Sequence, residues 1–592
     1  MDMLWSASTT MRNPDRTLSF LQTAKEIEGV VWNEETQMKY QSLLIKNRFY
    51  MPTDEYLSAA QIAILHDYTH QMTYDEARDI FDSKHYVDPD MRGRTSFDPL
   101  EKLGLVALDV DESRAQIIRV TDFGNLFLTG AIDLGEMVFT SLLKMQFPNP
   151  LSRDRQDYNI KPFIGTLRLI RRVNELCTEC EENAKGISKE EFGIFVLSLK
   201  SYRDIDNVAK KLLTFRYEKS RCTNDEERKS YVDSFISEYL VNFPNPHKNT
   251  REYTDNIIRY LRLTRYIYIR GGGYYVDLEP RRMVEINAIL KQDDGAAKEF
   301  SPDEYKQYIG DYHAYELPFE TLTQLREIAA RVLEEINALS VELGVQHEIV
   351  SIADASESLR VQISDLREQR LLLQNLILRR DYQDAERIDE VIYALENIRT
   401  MGSKPSIALE KWINIALNVL NDAVKIQPNA PLGDDNEPTF TAPSGVPDIE
   451  CYYDNFGAVC EVTMLTGRDQ WYNEGQPVMR HLRSFEQVNC ASENYCLFVA
   501  PRLHTDTINT FWNAVKYEYE GRSQKIVPIT ITSMIDILGT VRNVKAARKP
   551  FGKDDLRRLY DVCVDISDVP NSTAWTAHIN DKIQEWSTEL GA

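Results

Sequence analysis

The chain has 592 residues, which is too long for a single hydrophobic core and predicts about three to five domains. Its content of 43% hydrophobic, 10% aromatic and 27% charged residues excludes a disordered or fibrous protein and is typical of a soluble globular one. The formal charge of −23 repels polyanions on average, so any nucleic-acid site must be a local basic patch.

Signals for membranes and for several common enzyme classes are missing from the sequence. It has no apolar run of about 18 residues and no signal peptide at its start, so we expect a cytoplasmic protein with no membrane partner. Cys177 and Cys180 have metal-ligand spacing, but no second pair follows, which argues against a zinc site. The absence of HExxH, GxxxxGK[ST] and GxSxG argues against zinc proteases, P-loop NTPases and α/β-hydrolases.

Two stretches of the first half each predict helices followed by a hairpin, the order of a winged helix. In the first stretch the elements are helices near 56–68, 73–82 and 96–103 and strands near 104–108 and 115–120. In the second they are a helix capped by Ser188 and Glu191, helices over 205–216 and 250–263, and strands over 266–270 and 274–278 around the Gly271–Gly273 turn.

The last helix and hairpin of the second stretch depart from the acidic average of the chain. Five arginines with interleaved tyrosines occur over 20 residues: Arg251, Arg259, Arg262, Arg265 and Arg270. Guanidinium groups suit phosphate oxygens and guanine edges, so the pattern predicts a surface that faces DNA. The alternative is a solvated helix face whose arginines pair with acidic neighbours.

Residues 317–400 predict charged helices without a chemical motif. Apolar residues follow at helical spacing: Leu359, Ile363, Leu366, Leu373, Leu376 and Ile377. The pattern is typical of an antiparallel helical connector or a short coiled coil, whose role would be to hold the two halves apart.

The composition changes sharply after Lys425. Residues 426–467 contain no lysine or arginine but seven acids, namely Asp434, Asp435, Glu437, Asp448, Glu450, Asp454 and Glu461. Within this acidic segment, residues 449–453 and 458–463 predict two strands joined by a turn at 454–457. One register places Asp448 opposite Glu461 and a longer one opposite Thr463, but in both the two carboxylates share a face.

Converging carboxylates predict a metal site. Two ionised carboxylates about 4 Å apart repel by roughly 4 kcal/mol at an effective dielectric near 20, and a divalent cation removes that cost. Oxygen ligands alone favour Mg²⁺, with Mn²⁺ as a substitute. Such a metal polarises a phosphodiester and activates water, so the chemistry indicated is metal-assisted phosphodiester hydrolysis.

The elements that follow predict an α/β core: a helix over 476–488, a strand over 495–500, a helix over 504–519 and a strand over 525–530. Their order around Pro447-Asp448 and Glu461-Val462-Thr463 resembles the PD-(D/E)xK nuclease core. The motif is short, and the alternative is a hairpin whose acids face solvent.

Longer segments resemble the AlwI-type Type IIS restriction endonucleases and the nicking large subunits of the same group. They are the opening Trp5–Arg16, Phe20-Leu21, Glu28-Gly29, Pro447–Glu450, Cys460–Thr463 and Pro477–His481. The resemblance implies a multidomain α+β chain. Its parts would be winged-helix-like DNA-recognition domains at 1–150 and 151–300, a helical linker at 301–400 and a PD-(D/E)xK cleavage domain at 401–592.

The same resemblance implies the residues of the site. Asp448 and Glu461 would be catalytic and would bind the metal, together with the backbone carbonyl of Val462. Glu474 and Glu410 match two further catalytic acids, although Glu410 could instead be an exposed helix residue and Glu474 a partner of the helix dipole. Arg12 and Arg16 of the opening segment are expected to contact DNA.

One residue departs from the wider nuclease pattern. Thr463 stands where a lysine is usual and cannot supply positive charge to the attacking water. Members of the subgroup look alike in this respect, so the threonine does not predict inactivity. Without that lysine, the second set of acids, or Arg468 or Arg480, must contribute more to catalysis.

The leading hypothesis is a Mg²⁺-dependent endonuclease that binds a short asymmetric site in double-stranded DNA and cuts at a fixed distance outside it. A single core cuts one strand, so a double break requires a transient homodimer or a small second subunit. Strand-specific nicking and the large subunit of a heterodimer are alternatives within the same chemistry. A further alternative is a non-catalytic winged-helix DNA-binding regulator.

Overall fold

The computed structural model describes two compact units, Met1–Ile328 and Ala329–Ala592. The residues described are 3–5, 11, 13–67, 70–152, 154–270, 275–345, 351–400, 405–420, 423–439, 441–443, 445–489 and 493–591. The finer division into four parts stays a prediction. No helix in the described ranges is long and apolar enough to cross a membrane.

The first unit is mainly helical. Its helices are α1 Arg16–Glu26, α2 Glu34–Lys46, α3 Ala59–His66, α4 Tyr74–Ser83, α5 Pro89–Lys102, α6 Asp122–Leu128, α7 Leu134–Lys144, α8 Pro162–Glu179, α9 Lys189–Glu191, α10 Ile205–Ser220, α11 Asp225–Tyr239, α12 Pro246–Leu263, α13 Met283–Gln292 and α14 Pro302–Gly310. A π-helical turn, Phe192–Val196, follows α9, and short 3-10 turns lie at Tyr202–Asp204 and Pro280–Arg282.

Both hairpins that the sequence predicts in this unit are present. Strand β1 (Val106–Val110) pairs with β2 (Gln116–Val120), and the Asp111 carboxylate stabilises their turn by accepting from the backbone N–H of Ala115 at 2.8 Å. Strand β4 (Ile267–Arg270) pairs with β5 (Tyr275–Leu278), while the triple glycine lies outside the described residues.

The second hairpin belongs to a three-stranded sheet that the sequence did not predict. Strand β3 (Ile187–Ser188) pairs with β5, so the order is β3-β5-β4. Two residues are too short to show an alternating pattern, and the same Ser188 also caps α9, where the predicted capping box with Glu191 is present.

The opening segment is anchored in the first unit. Trp5 is buried, and its Nε1 donates to the carbonyl of Val196 at 3.0 Å. Tyr260 of α12 donates its hydroxyl hydrogen to the carbonyl of Met11 at 2.8 Å. Met11 therefore lies against the helix that carries three of the predicted DNA-binding arginines.

Helix α15 (Leu322–Leu343) contains the boundary between the units, and the second unit follows it. Its helices are α16 Ser356–Asp381, α17 Ala385–Glu396, α18 Pro405–Val419, α19 Arg468–Val488, α20 Thr505–Lys516, α21 Ile531–Ala546, α22 Lys553–Val564 and α23 Ser572–Glu589. Its strands are β6 Lys425–Pro428, β7 Ile449–Tyr452, β8 Gly457–Val462, β9 Asn494–Ala500 and β10 Ile526–Thr530.

The charged helices of 317–400 are confirmed, but their apolar stripe is only partly buried. Leu359, Ile363 and Leu366 of α16 are buried, whereas Leu376 is 48% exposed. The role of these helices as a linker stays a prediction.

A five-stranded mixed sheet forms the centre of the second unit, in the order β10-β9-β8-β7-β6. Strands β8, β9 and β10 are parallel, and β7 and β6 continue the sheet in antiparallel fashion. β9 is apolar along nearly its whole length because helices cover both faces of the sheet, as is usual for a central parallel strand.

Helix α19 covers one face of this sheet. The rings of Tyr452 and Phe485 lie 5.5 Å apart, and His481 contacts Glu461 on the same face. On the opposite face, Tyr495 of β9 donates its hydroxyl hydrogen to Asp561 of α22 at 2.6 Å.

Two features of the sheet region differ from the predicted elements. α19 begins at Arg468, eight residues before the predicted start, and accommodates Pro477 in its interior. Strand β6 was not predicted, because four residues at the edge of the sheet give too short a pattern.

Candidate functional site

Asp448 and Glu461 lie on neighbouring strands of the central sheet. Ile449 pairs with Cys460, and continuing this register by one residue places Asp448 opposite Glu461. The turn between the strands is tight, since the N–H of Tyr453 donates to the carbonyl of Phe456 at 3.0 Å. The structure therefore has the shorter of the two predicted registers.

Backbone N–H groups hold both carboxylates. The N–H of Val462 donates to Asp448 Oδ2 at 2.7 Å, and the N–H of Asp448 donates to the carboxylate of Glu461. Each acid is thus fixed by the strand that carries the other, which sets the direction of both side chains.

The electrostatics of the pair match its position. Burial raises the pKa of Asp448 to about 6, and the N–H of Val462 opposes this rise. Burial raises the pKa of Glu461 well above its ordinary value, with further increases from the charges of Asp448, Glu474 and Glu410. The four acids therefore belong to one electrostatic cluster.

Glu474 reaches this cluster from the second turn of α19. Burial raises its pKa to about 7, the Thr463 hydroxyl lowers it by donating to the carboxylate, and Asp448 raises it further. Glu474 is the seventh residue of the helix, so it lies beyond the first turn that its reading as a helix-dipole partner requires. Thr463, at the position of the expected lysine, contacts this acid directly.

Glu410 reaches the cluster from α18. Its side chain is 6% exposed, so its reading as an exposed helix residue is wrong. One carboxylate oxygen, Oε2, accepts from the N–H of Ala442 at 3.0 Å. Its charge contributes to the raised pKa of Glu461.

His481 of α19 is a cluster residue to which sequence reasoning gave no role. Its Nδ1 lies 2.8 Å from Glu461 Oε1. Burial, with a contribution from Arg480, lowers the pKa of His481 to about 4, so the imidazole is neutral near pH 7. His481 is the last residue of Pro477–His481, one of the segments that resemble the family. Because His481 and Glu461 lie on different elements, their positions in the sequence do not indicate that they are in contact.

Part of the acidic segment is neutralised by cations from elsewhere in the second unit. Asp434 pairs with Arg370, Glu437 with Lys411 and Asp454 with Lys553. The acids of this segment therefore have partners on other helices, which a pattern along the chain cannot show. Asp448 and Glu461 of the same segment lie instead with Glu410 and Glu474 in the buried acidic cluster.

The cluster consists of oxygen donors, the ligand type that hard divalent cations prefer. Within the described ranges, no group of three or more His, Cys, Asp or Glu side chains has the geometry to hold a metal ion. The paired carboxylates with raised pKa values fit a cation because it would stabilise their charged forms.

Three of the seven predicted DNA-binding arginines, Arg251, Arg259 and Arg262, lie on α12. Arg251 and Arg265 are exposed, and Arg259 and Arg262 are half-buried. Exposed Arg16 is the first residue of α1, whereas Arg12 and the side chain of Arg270 lie outside the described residues.

A lysine that the sequence did not single out joins this surface. Burial lowers the pKa of Lys189, Asp255 opposes the change, and Arg262 and Arg259 add to it. The region also contains acids, since Arg265 Nη2 lies 3.8 Å from Asp133 Oδ2. The clustered cations expected of a DNA-facing surface and the acidic neighbours expected of a paired helix face are therefore both present.

Comparison with solved structures gives matches to restriction endonucleases. The chain is similar to the crystal structure of the small subunit of the heterodimeric restriction endonuclease R.BspD6I, with 21% identity, a TM-score of 0.27 and coverage of 34% of this chain and 97% of that one. It is also similar to restriction endonuclease FokI, with 10% identity, a TM-score of 0.23 and coverage of 95% and 99%. Comparison with curated proteins gives no match.

A family model described as AlwI restriction endonuclease matches residues 101–537, which include both hairpins of the first unit and the carboxylate cluster of the second. The match spans well over half of the sequence and agrees with the resemblance of the individual segments. The chain therefore belongs to the AlwI restriction endonuclease family, a family of site-specific DNA nucleases.

Proposed function

We propose that this nuclease is a Mg²⁺-dependent Type IIS endonuclease that binds a short asymmetric DNA site and cuts at a fixed distance outside it. The observation that carries the proposal is the placement of Asp448 opposite Glu461, with Glu410 and Glu474 in the same buried cluster. Family membership supplies the DNA substrate.

We assign the two units to the two tasks of the enzyme. Helices followed by hairpins in the first unit support winged-helix-like recognition domains. In the second unit, an antiparallel hairpin continued by parallel strands and flanked by helices supports a PD-(D/E)xK core. Cleavage outside the recognition site would follow from this separation.

Asp448, Glu461 and the carbonyl of Val462 would hold the Mg²⁺, or Mn²⁺ in its place. Bound there, the metal supplies positive charge that polarises the scissile phosphodiester and activates water. Because Mg²⁺ usually keeps several waters and binds only one or two carboxylates, the two acids suffice on the protein side.

Other side chains of the site orient its acids. His481 holds Glu461, and Thr463 directs Glu474. With a pKa of about 7, Glu474 can accept a proton from the attacking water near neutral pH. In this arrangement a glutamate held by Thr463 assists the water where other nucleases use a lysine.

A second candidate within the same chemistry is a nicking endonuclease or the large subunit of a heterodimer. One cluster of this kind acts on one strand, and a double break needs a second cluster from another copy or a small subunit. The products formed from plasmid DNA distinguish these cases.

The decisive experiment is plasmid cleavage by metal-site variants. We expect wild type to nick or linearise plasmid only with Mg²⁺ or Mn²⁺. Asp448→Ala and Glu461→Ala should lower cleavage by at least about 10³-fold, because each removes a ligand of the cation whose charge would stabilise the transition state, and should leave specific DNA binding intact. Gel shift and cleavage assays on the same protein measure both quantities.

Asp454→Asn is the matched control, since Asp454 lies in the turn of the same hairpin and pairs with Lys553. It should cleave like wild type. Cleavage that survives both alanine substitutions would refute the site. A wild-type protein that binds a specific sequence but never cuts would instead support the non-catalytic regulator.

A further inference from the structure

Arg370 of α16 is a buried arginine that the proposed chemistry does not use. Its side chain is 1% exposed. Its Nη1 lies 2.7 Å from Glu335 Oε2 of α15, and its Nη2 lies 2.6 Å from Asp434 Oδ1. One guanidinium therefore joins two helices to the acidic segment.

Burial makes this ion pair sensitive to geometry. Asp434 is 5% exposed, so removal of Arg370 would take a cation away from a buried carboxylate, which is destabilising. A planar guanidinium also fixes the direction of both partners through its fork of donors. The ion pair thus determines where Asp434 lies.

Asp434 belongs to a segment that follows β6 and contacts both α16 and α18. We call this segment the bridging loop (residues 429–439 and 441–443). On the α16 side, Asn436 Nδ2 donates to Asn375 Oδ1 at 2.8 Å. On the α18 side, Lys411 Nζ lies 2.7 Å from Glu437 Oε1.

The bridging loop ends at the carboxylate cluster. The N–H of Ala442 donates to Glu410 Oε2 at 3.0 Å. Beside this hydrogen bond, a small cavity of about 30 Å³ lies between the loop and the cluster. Its lining includes Leu378, Glu410, Leu432 and Asp448. A shift of the loop would therefore reach Glu410 directly.

We propose that Arg370 is a positioning residue for DNA cleavage, because it fixes the bridging loop and the loop holds Glu410 at the catalytic cluster. The inference rests on the proposed nuclease function. Glu335 belongs to α15, so Arg370 also joins that helix to the loop.

The test separates positioning from stability. Arg370→Met should destabilise the protein and lower the single-turnover cleavage rate by about tenfold or more, since misplaced catalytic groups carry costs of this order. The double variant Arg370→Met/Asp434→Asn removes both charges of the buried pair and leaves only the partly exposed Glu335 without Arg370, so most of its thermal stability should recover. Its cleavage rate should stay low because the ion pair that fixes Asp434 on α16 is still absent.

Lys411→Met supplies a second variant that folds in any case, since this ion pair is half-exposed. It should lower cleavage by about threefold through the same loop. Arg380→Met is the matched control: Arg380 lies on α16 but pairs with Glu342 and Asp381, away from the loop. It should cleave like wild type.

The Arg370 and Lys411 variants should bind specific DNA with wild-type affinity and need a higher Mg²⁺ concentration for half-maximal cleavage. A double variant, or Lys411→Met, that cleaves at the wild-type rate overturns the inference while the nuclease function stands. Failure of the proposed function looks different, because Asp448→Ala would then still cleave or wild type would not.

Discussion

At the scale of single residues, Asp448 and Glu461 lie where their charges are costly. Burial raises both pKa values, so the folded protein without metal loses stability as these groups ionise. A structural role would be served better by amides of the same shape. The cost is understandable if a cation stabilises the ionised pair during function.

The first consequence concerns stability and pH. The pKa of Asp448 rises from 3.8 to about 6 in the folded state. Between these values the folded state binds more protons than the unfolded state, so stability falls as pH rises through this window. Asp448→Asn should therefore melt roughly 2–5 °C above wild type at pH 8 in EDTA, with no gain near pH 4.

Thermal unfolding at several pH values measures this difference. Asp454→Asn should behave in the opposite sense, because Lys553 lowers the pKa of Asp454 and its charge stabilises the folded state at high pH. Mg²⁺ should raise the melting temperature of wild type but not of Asp448→Asn. A gain that does not depend on pH would contradict the raised pKa.

At the scale of elements, local patterns predicted the nuclease hairpin well. The turn at Asp454-Asn455 and alternating residues on both sides predicted two registers that place both carboxylates on one face, and the structure has the shorter one, with Asp448 opposite Glu461. The long apolar strand β9 was also predictable, because burial on both faces requires apolar residues throughout.

What the sequence could not show depends on partners distant in the chain. Strand β3 exists only through its pairing with β5, and the ion pair of Arg370 with Asp434 joins residues 64 positions apart. His481 reaches Glu461 because α19 packs on the sheet at one particular angle. These interactions follow from tertiary packing and leave no periodic signal.

The basic surface of α12 gives a prediction at the scale of elements. Arg259→Gln and Arg262→Gln should each weaken specific DNA binding and lower the slope of log K against log salt by about 0.9 for each phosphate that the variant no longer neutralises. Cleavage at saturating protein should not change. Binding measured over a range of salt concentrations tests this.

Arg228→Gln on α11 is the control, since exposed Arg228 pairs with Asp225 of its own helix. It should leave affinity and slope unchanged. If the α12 variants retain the wild-type slope, their arginines pair with acidic neighbours and do not contact phosphate.

At the scale of the whole molecule, a formal charge of −23 coexists with a DNA substrate. An acidic surface weakens non-specific binding to DNA, so affinity must come from local basic surfaces. Weak non-specific binding favours discrimination between the recognition site and other DNA sequences.

Under the proposed function, the number of strands cut depends on assembly. If two copies act together on a plasmid with one recognition site, nicked circles should form at a rate proportional to protein concentration and linear DNA at a rate that rises with its square. Gel analysis of time courses at several concentrations measures both. Nicked circles alone at every concentration would indicate a nicking enzyme or a missing small subunit.

The order of the central sheet limits how such a second copy can bind. β6 and β10 are its outer strands, and each contains a proline, Pro428 and Pro528. Proline lacks the N–H that strand addition requires, and natural proteins place it on outer strands to block such pairing. A proline in each outer strand therefore disfavours continuous pairing between the sheets of two copies.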